Sequence, residues 1–101
     1  MLEIYVCDDE VSTLNFIQQA IEKQILIHEY DMKVKQVYRD PCAMLEALAK
    51  QQTKRNIYFL DVELKNKYFD GFLLGKEIRA IDPNGSIIYI TSYKDLAYKT
   101  F

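Results

Sequence analysis

Ile57-Tyr58-Phe59-Leu60 runs without a polar break and closes abruptly on Asp61. Short, unbroken, β-branched and aromatic runs of this kind predict a strand buried on both faces, as in a parallel sheet. Two more runs share the pattern, Ile4-Tyr5-Val6-Cys7 and Ile87-Ile88-Tyr89-Ile90. A fourth segment, Lys33 to Arg39, mixes Val34 and Val37 with Lys33, Lys35 and Arg39, and reads as a half-exposed edge strand.

Between the runs the spacing turns helical. Leu14, Ile17, Ile21 and Ile25 fall on one face of a helix from about Val11 to Ile27. A second helix starts at Pro41 with Asp40 as its cap, and Met44, Leu45 and Leu48 form its apolar side. A third spans about Gly71 to Ile81 with Leu74, Ile78 and Ile81 inward, and Asp82-Pro83-Asn84-Gly85 turns the chain after it. Tyr93 to Phe101 reads as a short fourth helix presenting Leu96, Ala97 and Phe101. The order βαβαβαβα specifies an α/β fold, a doubly wound parallel sheet with right-handed crossovers. Ile87–Ile90 would form a strongly apolar edge, so the sheet is expected to be completed by further chain or by another molecule.

At 101 residues the chain is expected to form a single domain, 1–101. Lys and Arg number 13 against 15 Asp and Glu, a net charge of −2, which argues against a nucleic-acid-binding face. Half the residues are apolar, which excludes disorder. No window approaches the length of a membrane helix, and the N-terminus lacks the basic start of a signal peptide. Cys7 and Cys42 form no Cys-x-x-Cys pair, so a cytoplasmic location with reduced thiols is expected.

The chemistry gathers at the strand ends. Cys7 is followed by Asp8, Asp9 and Glu10, Leu60 by Asp61, and Ile90 by Thr91 and Ser92. Ligands of open parallel sheets bind beyond the carboxyl ends of the strands, so these residues are expected to converge. Crowded carboxylates repel and are costly to bury unpaired, and a divalent cation resolves that. Hard oxygen ligands around a partly open site suit Mg²⁺. Each residue also has a structural reading alone: Asp8 and Asp9 could cap the first helix, Asp61 could be a loop residue, and Thr91 and Ser92 could cap the last helix. The joint placement at three strand ends favours a site.

The acid pair Asp8-Asp9, the Ile57–Asp61 strand, Asp70-Gly71 with Leu74 and Ile78-Arg79, Asp82-Pro83, Ile87 to Ser92, and the tail Leu96, Tyr98, Thr100 and Phe101 resemble the receiver domain of bacterial two-component response regulators. Within it they are most similar to the quorum-sensing regulators of the AgrA and ComE type, whose receiver is followed by a LytTR DNA-binding domain. The resemblance implies a flavodoxin-like (CheY-like) fold lacking its final strand and helix. It implies Asp61 as phosphoacceptor, Asp9 and Asp61 as direct Mg²⁺ ligands with the backbone carbonyl of Glu63, and Asp8 acting mostly through a metal-bound water. Thr91 would contact a phosphoryl oxygen and swing inward as a switch. The donor would be a sensor histidine kinase, and DNA would be bound only through the LytTR domain, outside this chain. Such a domain is regulatory rather than an enzyme, although it assists its own phosphorylation and dephosphorylation.

Two departures from the family pattern stand out. Leu64-Lys65-Asn66-Lys67 replaces the usual Met-Pro after the phosphoacceptor, and the family's invariant lysine, which follows the next strand, is not reached; Lys94 and Lys99 cannot be equated with it. A chain lacking the last helix would expose apolar surface and is expected to self-associate.

Competing readings are a haloacid dehalogenase-like phosphatase, loosely imitated by Asp61-Val62-Glu63, and a pseudo-receiver that binds protein without phosphorylation. His28 reads as a solvated helix-end residue, Cys7 as a packed thiol, Cys42 as an ordinary first-turn residue, and the tyrosines mostly as core.

Overall fold

The computed structural model describes residues 1–51 and 55–90. The elements run β1 (Leu2–Cys7), α1 (Val11–His28), β2 (Met32–Tyr38), α2 (Pro41–Ala49), β3 (Asn56–Asp61), α3 (Gly71–Ile81) and β4 (Ser86–Ile90). All strand pairs are parallel, in the order β2-β1-β3-β4. The expected fourth helix, Tyr93–Phe101, and the expected contacts of Thr91 and Ser92 lie outside the described residues.

Alternation along β1 sorts its side chains onto two faces. Ile4 and Val6 join Leu14 and Ile17 of α1, with Ile21 and Ile25 packed against them. Tyr5 and Cys7 face the other way, among Met44 and Leu48 of α2, Leu74 and Ile78 of α3, and Tyr58 and Leu60 of β3. The helical spacing read in the sequence therefore marks the faces that pack.

β2 is the edge strand expected, and a bulge explains its odd spacing. Val34 and Val37 are three residues apart, which would place them on opposite faces of a regular strand. The register steps from Ile4↔Val34 to Tyr5↔Gln36, skipping Lys35, and both valines reach the α1 side.

One expectation fails at the end of α3. Ile81 was expected to point inward, yet it is 36% exposed. Asp82, four residues after Ile78, takes the inward position instead. Its carboxylate Oδ2 accepts from Tyr58 Oη at 2.7 Å and Asn56 Nδ2 at 3.3 Å, and Asn56 Nδ2 also donates to Tyr58 Oη at 3.0 Å. This buried network closes the end of the sheet opposite the strand tips that carry the acids.

Candidate functional site

The tips of β1, β2 and β3 build the site from backbone hydrogen bonds. Asp8 leaves β1 with its N–H donating to Tyr38 O at 3.0 Å, which ties the turn to β2. Its Oδ1 accepts the Glu10 N–H at 2.9 Å, and Glu10 O then accepts the Leu14 N–H to open α1. Asp8 thus shapes the turn before the helix, while the N-cap residue Glu10 makes no capping bond with its side chain. Asp61 ends β3 in the same way, its Oδ1 accepting the Glu63 N–H at 3.0 Å.

Asp61 is fixed from behind by a close backbone approach. A Cβ on Gly71 would lie 2.2 Å from Asp61 O and 2.5 Å from Val62 Cα, so only glycine fits there. Gly71 N–H donates to Val62 O, and Asp70 caps α3 by accepting the Leu73 N–H at 2.8 Å. The Asp70-Gly71 pair is therefore a spacer that sets α3 against the tip of β3.

The two loops bring three acids together. Asp8, Asp9 and Asp61 each present a carboxylate oxygen, and these oxygens lie within 4.8 Å of one another. Asp8 is 2% and Asp61 5% exposed, and Asp9 is half-buried. Burial pushes the Asp8 carboxyl up to about 6; the Glu10 N–H opposes this, and the charges of Asp61, Asp9 and Glu10 reinforce it. Asp61 is raised as well, again by burial first, with the Glu63 N–H opposing and Asp9 adding to the rise. Three carboxylate oxygens held this close are what a hard divalent cation complements, so the donor set fits a metal.

The neighbouring residues sort themselves. Burial pushes the Cys7 thiol up to about 12, with Asp8, Asp40 and Asp61 adding to it, so it stays a neutral core group. Glu63 lies beside Asp61 with an exposed side chain, and its side chain is not in the three-acid cluster. His28 sits at the other end of α1, stacked on Tyr30. Cys42 occupies the first turn of α2, its N–H donating to Asp40. One participant escaped the sequence reading: Arg39, at the tip of β2, donates from Nε to Asp9 O at 3.5 Å. A lone arginine after an edge strand carries no signal in the sequence that it will fold back onto a neighbouring strand's loop.

The sequence matches the family described as "Response regulator receiver domain" over residues 4–101. The chain belongs to that family. It is 35% identical over 100 residues to accessory gene regulator protein A of Staphylococcus aureus, covering 99% of this chain and 41% of that protein. The receiver domain thus spans about two-fifths of the length of the curated relatives it matches. Among solved structures it resembles the two-component response regulator RcsB in its DNA complex, with a TM-score of 0.71 and 24% identity over 90% of this chain and 42% of that one. It also resembles the isolated RcsB receiver domain of Salmonella enterica serovar Typhimurium, solved with the phosphomimetic BeF₃⁻, with a TM-score of 0.70 and 24% identity over 92% of this chain and 63% of that one. These two likenesses bear on the fold. No helix among the described residues is long and apolar enough to cross a membrane.

Proposed function

We propose that Asp61 is the phosphoacceptor of this receiver domain and that Asp8, Asp9 and Asp61 surround one Mg²⁺. The observation that carries the reading is the meeting of three carboxylate oxygens from two separate loops within 4.8 Å. Asp9 and Asp61 would bind the ion directly together with the carbonyl of Glu63, and Asp8 through a water. When bound, Mg²⁺ supplies charge neutralisation on the phosphoryl oxygens.

This chain's part is nucleophile and scaffold. An oxygen of the Asp61 carboxylate attacks phosphorus, the P–N bond to the donor imidazole breaks, and an acyl phosphate forms while the imidazole takes up a proton. The Glu63 N–H on Asp61 Oδ1 fixes the carboxylate's rotation and leaves its other oxygen free to attack. Thr91 would contact the transferred phosphoryl group as the switch residue. The domain is regulatory and assists its own phosphorylation and dephosphorylation.

The donor we propose is a sensor histidine kinase in the cytoplasm. The readout is transcriptional, through a LytTR-type DNA-binding domain of the longer protein, in a quorum-sensing circuit. A second copy of the chain is the further partner we propose. Acetyl phosphate with Mg²⁺ tests the central assignment by intact mass. The unmodified sequence gains one phosphate and Asp61→Ala gains none; a gain in both, or in neither, removes Asp61 from the role. Continuous release of phosphate from a generic ester would favour the phosphatase reading instead.

A further inference from the structure

We propose that Arg39 is a positioning residue for Asp9, holding the acid turn from the tip of β2 so that the Asp9 carboxylate is presented to the cation. The inference rests on the Mg²⁺ reading above and adds to it a residue from a third strand tip.

Cys7 to Glu10 must aim two adjacent carboxylates at one point, although successive side chains of an extended chain diverge. Asp8 is locked by its own bonds: its N–H is held by Tyr38 O and its Oδ1 by the Glu10 N–H. It is also almost fully buried. Among the described residues, the N–H and the carboxylate of Asp9 have no such anchor. Its side chain is half-buried, and the peptide that follows it is held at both ends, by the Glu10 N–H on Asp8 Oδ1 at 2.9 Å and by the Asp9 carbonyl, which accepts from Arg39 Nε at 3.5 Å. Tyr38 and Arg39 are consecutive, so β2 grips the turn at two successive points, by its backbone at Asp8 and by its side chain at Asp9. Groups behind metal ligands orient them, and their loss weakens metal binding although they never touch the ion.

Two effects of Arg39 oppose each other. Its positive charge repels a cation, whereas its N–H orders a ligand. Arg39 is exposed, so solvent screens its charge and leaves the N–H on the Asp9 carbonyl as the effect to test. The two can be separated chemically. Glutamine places an amide N–H the same number of bonds from the backbone as arginine's Nε–H, without the charge. Methionine keeps the length and offers no donor.

Calorimetric titration of MgCl₂ into the full chain, in the unmodified form and as Arg39→Gln and Arg39→Met, tests this. Arg39→Met is expected to weaken Mg²⁺ binding about tenfold and Arg39→Gln to stay within about twofold of the unmodified chain. Melting temperatures in EDTA are expected to agree among the three, because an exposed side chain contributes little to the metal-free fold. Equal affinity in Arg39→Met overturns the inference, as does an equal loss in both variants. Absence of any Mg²⁺ uptake by the unmodified chain sinks the magnesium reading itself, a result distinct from either of those.

Discussion

Asp8 carries the sharpest consequence at the scale of single residues. Burial is the first cause of its raised carboxyl, so the folded protein holds a proton that the unfolded chain has already released between about pH 4 and pH 6. The native state binds more protons in that window, so stability of the metal-free protein falls as pH rises through it. Denaturant titrations in EDTA at pH 4.5 and 7.5 check this, with the site's contribution greater at the lower pH and the difference reduced in Asp8→Asn. Gly71 makes a second prediction. The Cβ of Gly71→Ala would collide with Asp61 O, a backbone atom that cannot swing aside, so we expect a loss of about 1–3 kcal/mol and poorer phosphorylation of Asp61. A variant with unchanged stability and phosphorylation rate would contradict that spacing. At the far end of the sheet, Tyr58→Phe strips Asp82 of its shorter hydrogen bond and leaves buried polar atoms short of a partner, at a cost of about 1–3 kcal/mol.

Among the elements, α1 stores a small strain. Glu29 follows its last turn at φ 53, a left-handed conformation that glycine adopts freely and a glutamate does not. Glu29→Gly should therefore raise stability by roughly 0.5–1 kcal/mol, read as a higher denaturation midpoint with an unchanged slope. The elements were also the most legible part of the molecule. Apolar runs located β1, β3 and β4, and the 3–4 spacing located α1 and its buried stripe, because both follow from repeat geometry alone. What the pattern could not supply was tertiary. The β2 bulge shows only once β1 is alongside, and Asp82 outcompetes Ile81 for the inward position only because Tyr58 and Asn56 offer it hydrogen bonds.

Taken as a whole molecule, the fold is a device for meeting at strand tips. Parallel pairing points every carboxyl end of the sheet in one direction, and the placement of β1 beside β3 sets Asp8-Asp9 next to Asp61. That convergence was readable from three acids at two strand ends; the Arg39 grip and the Gly71 contact were not, since neither has a local signature. β4 pairs with β3 on one side and with no other strand among the described residues, and Ile88 and Ile90 are only half-buried. The self-association proposed above predicts that light scattering at rising concentration reports a mass above that of one chain. A constant monomer mass would remove self-association from the account.

The proposed shared cation can be tested directly by NMR with Mn²⁺ in place of Mg²⁺. Paramagnetic broadening should reach the amides of residues 8–10 and 61–63 together, at one metal concentration, and be displaced by Mg²⁺. Broadening confined to one loop, or appearing at the two loops with separate affinities, would contradict a single centre built from Asp8, Asp9 and Asp61.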